Sequence, residues 1–191
     1  MNILEQENHP IESIQDLALY HQISQFYYRE ARILDNRQFQ TWMKLLAPDI
    51  EYTIPARNNV MMDVGLKNLE QILNVEQEIN TEDEVPFRAD NMITLSLRAN
   101  RPTNPIAWAD NPLTRTCRHV SNIEVYEQGK DEWIVYSNVL MTYSRHSDNN
   151  FTFSCRRQDS LQRIEGEFML AKRKVVLDWN TVTAPTLAIL F

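Results

Sequence analysis

An α+β fold, with a strongly curved antiparallel sheet covered by N-terminal helices, is predicted by three features of the sequence. Apolar residues between 13 and 46 recur at helical spacing. The eight prolines stand at 10, 48, 55, 86, 102, 105, 112 and 185, which leaves 113–184 free of a residue that cannot donate to a sheet ladder. Inside that stretch, turn signals at Glu127-Gln128-Gly129-Lys130-Asp131, Asp148-Asn149-Asn150 and Glu165-Gly166 cut out four strands. Each is far longer than the usual five or six residues or so, and strands of that length bend through bulges. The bent sheet has a concave side, and the N-terminal helices are the long amphipathic elements available to cover it.

The 191 residues read as one domain. After an N-terminal arm, 1–12, helices are expected over 13–46. Ser13 with Asp16 resembles a capping box and opens a helix carrying Ile14, Leu17, Ala18 and Ile23. The stripe continues through Phe26, Tyr27, Ala31 and Leu34, breaks at Asn36-Arg37 and resumes at Phe39, Trp42, Met43 and Leu46. Two helices therefore meet at a corner marked by Asp35. Ala47-Pro48-Asp49 is expected to stop the second, and Ile50–Ile54 alternates like a strand with one buried face.

Residues 47–112 hold that strand, a long loop with helical turns over 58–83, and a helix from Val85 or Arg88 to Asn100 with Met92, Leu95 and Ala99 on one stripe. A proline-rich connection with Trp108 follows. Residues 113–179 form the long-stranded sheet, its strands near 115–127, around 133–145, 151–164 and 167–179. In the second, Val135, Val139, Met141 and Tyr143 share one face and Ile134, Tyr136, Leu140 and Thr142 the other, so part of it is buried on both sides. The tail, 180–191, ends Leu187-Ala188-Ile189-Leu190-Phe191 and is too apolar to stand in water; it packs into this subunit or a neighbour.

The formal net charge of -7 argues against a nucleic-acid partner. The first residues carry no positive n-region, and no apolar run approaches the roughly 20 residues of a membrane span, so no membrane partner and a cytoplasmic location are expected. Two cysteines do not make a disulfide framework. Cys117-Arg118-His119 has the form of half a Rieske iron–sulfur motif, but Gln158 stands where the half at Cys155 would need histidine. The four histidines show no local pairing that suggests an iron triad. There is no G-x-S-x-G, and three glycines build no phosphate loop.

Acid–base chemistry in a closed pocket survives these exclusions. His119 shares a strand face with Cys117, Ser121 and Ile123; if that face is concave, His119 meets Asp35, a pairing suited to general base and orienter. The plainer reading makes His119 a hydrogen-bonded histidine and Asp35 a helix cap, and it outweighs the first. Arg115, Arg118, Arg145, Arg156, Arg157, Arg163, Lys172, Arg173 and Lys174 read as a solvated outer face pairing with Glu124, Glu127, Asp159 and Glu167. Arginine with Trp and Tyr in the same half of the chain also suits a subunit interface.

Several stretches together resemble the small (β) subunits of aromatic-ring-hydroxylating dioxygenases. They are FYYREARILD at 26–35, the pattern from Trp42 to Tyr52, Trp108-Ala109 with Asn111-Pro112, RTCRHVSNIEV at 115–125, Ser137-Asn138, Tyr143-Ser144-Arg145, Arg156-Arg157 with Asp159-Ser160-Leu161, and AKRKVVLD at 171–178. Agreement is weakest over 58–100. The resemblance implies the cone-shaped fold of nuclear transport factor 2 and scytalone dehydratase, and a structural subunit with no catalytic centre, cofactor or metal of its own. It implies assembly with an α subunit, three of each, and contacts between β subunits. That α subunit would hold the Rieske cluster and mononuclear Fe(II), take electrons from NADH through a reductase and ferredoxin, and dihydroxylate an aromatic ring with O2. Trp108, Arg115, Arg118, Tyr143, Arg145, Arg156, Arg157 and Phe191 are the implied interface residues. The alternative is a dehydratase or isomerase of the same fold using His119 and Asp35.

Overall fold

The computed structural model describes residues 14–59, 74–81, 84–103, 113–145, 149–184, 187 and 189–191. The Ser13 capping box, the apolar run at 66–73 and Trp108 lie outside them. Helix α1 runs Ile14–Asp35 and α2, a single turn and a half, Phe39–Met43. The corner between them forms because Arg37 takes a left-handed φ of 58°. Its N–H bonds the Leu34 carbonyl at 3.0 Å, and the N–H of Gln38 bonds that of Ile33 at 2.9 Å. This pair of bonds closes the helix as a Schellman motif, a role glycine fills more often. Gln38 stands at the start of α2 and makes no side-chain cap, so Asp35 is not the cap of that helix.

Strand β1 spans Leu46–Ile54 and so begins earlier than Pro48 suggests. Proline is tolerated because the register against the neighbouring strand shifts between Leu46 and Glu51, where no ladder donor is required of it. A 3₁₀ turn occupies Val75–Glu78. Arg88–Asp90, expected to start a helix, instead forms a short strand, β2, paired with β1; α3 begins only at Met92 and ends at Asn100. The boundary is set by Asn91, whose side chain accepts from the Ile93 and Thr94 N–H groups while Thr94 reaches back to the Asn91 N–H, a reciprocal capping box.

The four long strands are β3 Arg115–Gly129, β4 Glu132–Arg145, β5 Asn149–Ile164 and β6 Glu167–Leu177. The β5–β6 turn is made by Glu165 and Gly166 with φ of 51° and 86°, the positive-φ pair whose twist matches a two-residue hairpin. The sheet order is β2-β1-β6-β5-β4-β3. Every pairing is antiparallel except β1–β6, which is parallel, so the sheet is mixed rather than wholly antiparallel. Bulges between Ser121 and Glu124 and between Ser160 and Leu161 bend it. Its inner face meets α1 and α2 over a core that includes Tyr27, Trp42, Tyr52, Val135, Met141, Phe153 and Val175.

Candidate functional site

The centre of the cone holds charge as well as apolar side chains. On α1, Ile23, Tyr27, Glu30 and Leu34 form one stripe facing the sheet, and Glu30 is 1% exposed. On β5 and β6, Arg157, Asp159 and Arg173 share the inward parity of Phe153, Cys155, Leu161, Val175 and Leu177. These four charges meet. Arg173 donates to Glu30 at 2.8 and 2.9 Å and to Asp159 at 2.9 and 2.8 Å, while Arg157 reaches Glu30 at 3.4 Å. Trp42 Nε1 donates to Glu30 at 2.9 Å, and Arg157 donates to the Ser137 hydroxyl at 3.1 Å while lying 5.1 Å over the Tyr27 ring.

Two acids thus neutralise two arginines inside the core. Burial alone would raise the Glu30 carboxyl, but Arg173 and Arg157 outweigh it and hold the group at about 2. Arg173 shows the mirror image: burial disfavours its charge, Asp159 and Glu30 overcome that, and it stays protonated well above the ordinary arginine range. Burial, then the Asp159 charge, pushes the Tyr27 phenol well up. Groups held this firmly do not exchange protons near neutral pH, which general acid–base work requires.

The remaining space is taken by the end of the chain. Phe191 is fully buried, its ring edge-on to Phe153 at 5.5 Å. Its main-chain oxygen accepts from Arg173 at 2.7 Å, and its N–H donates to the Tyr52 hydroxyl at 2.9 Å.

Asp35 and His119 are not brought together. Asp35 pairs with Arg118, accepts from the Arg118 N–H at 2.8 Å and from the Thr116 hydroxyl at 2.9 Å, while Arg118 also donates to the Leu190 carbonyl at 2.6 Å. His119 points to the exposed side, where its Nε2 lies 3.7 Å from Cys117 Sγ. The expected face of Cys117, His119, Ser121 and Ile123 is broken by the bulge at Asn122, whose φ is 51°. Before it the inward residue is Arg118; after it, Ile123 and Val125. A Rieske cluster does not fit either: Cys155 is buried among apolar side chains, its thiol pushed up to about 12 by burial, and Cys117 is on the exposed face two strands away.

The interface residues read from the sequence divide in two. Arg118, Tyr143, Arg157 and Phe191 are buried within this subunit. That corrects the solvated-face reading for Arg118 and Arg157, and for Arg173 as well. Arg115 and Arg156 are exposed and Arg145 half-buried. Glu30 is the residue sequence reasoning missed, and Asp159 and Arg173 are those it placed on the wrong face, although a signal existed: each sits on the apolar stripe of its own element.

A curved mixed sheet wrapped on two helices and closed from within by ion pairs and its own last residue defines an α+β cone whose interior is core. Comparison with known proteins agrees and goes further. Residues 29–184 match the family described as ring hydroxylating beta subunit, and the chain belongs to it. It is 32% identical to the beta subunit of biphenyl 2,3-dioxygenase of Rhodococcus jostii, covering 92% of this chain and 90% of that one. It is 29% identical to the beta subunit of benzene 1,2-dioxygenase of Pseudomonas putida, covering 91% and 89%. Among solved structures, naphthalene 1,2-dioxygenase with indole bound contains a chain that matches over 100% of both, with a TM-score of 0.76 at 20% identity, a likeness of fold.

Proposed function

We propose that the chain is the structural β subunit of the terminal oxygenase of an aromatic-ring-hydroxylating dioxygenase. The observation that carries this beside family membership is the filled cone: Glu30, Arg157, Arg173 and Phe191 occupy the volume that a pocket enzyme of this fold would leave for its substrate. In this reading the partner is an α subunit that holds the Rieske cluster and mononuclear Fe(II) and receives electrons from NADH through a reductase and ferredoxin. Three α with three β subunits assemble in the cytoplasm, and the β subunits touch one another. Among the described residues no helix is long and apolar enough to cross a membrane.

Arg115, Arg145 and Arg156, with Trp108, are the interface candidates that this reading retains. Arg156 is the sharpest of them, because its side chain is 55% exposed and meets Asp178 only at 3.5 Å. Co-expression with the α subunit, followed by light scattering, tests the proposal. It predicts a large hetero-oligomer, with Arg115→Glu and Arg156→Glu weakening assembly while each chain stays folded. A chain that remains a monomer beside its α subunit would sink it. The dehydratase or isomerase reading, built on His119 and Asp35, is disfavoured by the Asp35–Arg118 pairing and by the outward histidine.

A further inference from the structure

The last residues are held in an unusual way for a packed tail. Arg98 on α3 donates to the Ile189 carbonyl at 2.7 Å and to that of Leu187 at 3.4 Å. Arg118 on β3 donates to Leu190, and Arg173 on β6 to Phe191, at 2.6 and 2.7 Å. Tyr52 on β1 completes the set, accepting from the Phe191 N–H and donating to its oxygen at 3.3 Å. Four elements that are distant in sequence therefore read the main chain of one short segment.

What matters is that none of the three arginines depends on the tail for its own position. Arg98 is paired with Asp90, Arg118 with Asp35, and Arg173 with both Glu30 and Asp159. Each guanidinium is oriented by a carboxylate and turns one terminal N–H group to a main-chain oxygen of the tail. A site whose donors are fixed beforehand is preorganised, and its occupant gives up little of the binding energy to ordering the receptor. The tail also borders open space. A cleft lined by Leu34, Phe39, Arg98, Leu113, Arg118 and Leu190 runs beside it, and the Nε atoms of Arg98 and Arg118 are buried there without a partner among the described residues.

We infer that residues 187 and 189–191 are held as a ligand bound in cis. The cone mouth is a preformed receptor for an apolar segment whose main-chain oxygens are read by Arg98, Arg118 and Arg173, with the Phe191 main chain met by Tyr52 and its ring by Phe153. The occupant is the chain's own tail, and the receptor stays folded when the tail leaves.

Two experiments test this, both on the full chain. Phe191→Asp removes the ring that packs on Phe153, places a carboxylate at a fully buried apolar position and expels the tail. The variant is expected to keep its far-ultraviolet circular dichroism and to bind an acetylated, fluorescently labelled Thr-Leu-Ala-Ile-Leu-Phe peptide, one per chain. It should bind that peptide at least about tenfold more tightly than the unsubstituted chain does, and about tenfold more tightly than a peptide ending in Asp. In the unsubstituted chain, the amide hydrogen of Phe191 is expected to exchange at least about tenfold faster than the inner amides of β5, through local release of the tail. A folded Phe191→Asp chain that ignores the peptide would overturn the inference. So would a variant that unfolds, or a Phe191 amide that exchanges only with global unfolding, because either makes the tail an inseparable part of the core.

Discussion

Arg173 and Lys172 are neighbours on β6, carry the same charge and each pair with an acid on another element, yet they live under different physics. Arg173 faces the cone, is fully buried and answers two carboxylates at 2.8 Å. Lys172 faces outward, and its pair with Glu51 at 2.9 Å leaves both side chains 65% exposed. Strand alternation alone separates them. A pair in water is screened and worth little, whereas ions in the core must each be matched or the structure bears an uncompensated charge. The comparison teaches that distance does not rank these interactions; burial does.

The largest effect should come from breaking the inner network. Arg173→Met leaves Glu30 with Arg157 and Trp42 but takes from Asp159 the guanidinium that pairs with it, and removing one partner of a buried pair costs about 3–5 kcal/mol. Urea unfolding should record that loss, or the chain should fail to accumulate folded. A loss below about 1 kcal/mol would mean that the buried charges are not truly desolvated, and the contrast with Lys172 would dissolve.

Acid should act on the same network in a defined window. The folded carboxyl of Glu30 is held at about 2 against an ordinary 4.5, so its contribution is fully present above the unfolded value and is lost as pH falls through the folded one. By linkage that contribution is about 3 kcal/mol, lost progressively between roughly pH 5 and pH 1. Unfolding free energies measured across that range should fall less steeply in Glu30→Gln than in the unsubstituted chain. Equal slopes would assign the acid sensitivity to other carboxylates.

Asp35 is intermediate between the two cases, with a side chain 20% exposed against 2% for its partner Arg118. Asp35→Asn keeps the size and some of the hydrogen bonds while removing the charge, and a loss of about 1–3 kcal/mol is expected for a group left facing a buried guanidinium. His119→Ala, on the exposed face, should be nearly silent. If the histidine variant were the more costly, the assignment of the two faces of β3 would have to be reversed.

Much of this fold could be read from the chain, for identifiable reasons. The four long strands were legible because proline is absent and the turns leading into β4 and β6 are signalled by Gly129 and Gly166, although Asn149 and Asn150, read as part of a turn, open β5 instead. The helical corner was legible from the interrupted stripe at Asn36-Arg37. Parity was not. A one-residue bulge at Asn122 inverts the side chains that follow it on β3, and the asparagine, a residue tolerant of positive φ, was the one weak signal for it in a run that otherwise alternates. The inner network was hidden differently: Glu30, Asp159 and Arg173 were visible on apolar stripes, but a lone charged residue on such a stripe means burial only when a partner of opposite sign arrives from another element. That pairing depends on the sheet's curvature, a tertiary property.

The smallest effect belongs to the outer pair, and it tests the comparison from the other side. Lys172→Ala removes a strongly hydrated ammonium whose attraction to Glu51 is screened by solvent and offset by the cost of holding two long side chains in place, so the change in the free chain should stay within about 0.5 kcal/mol. Glu51→Ala should match it, and the double variant should equal the sum of the singles, because a coupling near zero is what a solvated pair implies. Raising the salt concentration should erase any residual difference. The same three variants measured in the assembled oxygenase ask a sharper question. A coupling that rises above about 1 kcal/mol only in the complex would mean that a neighbouring subunit covers this part of the sheet and brings the outer pair under the conditions that govern Arg173.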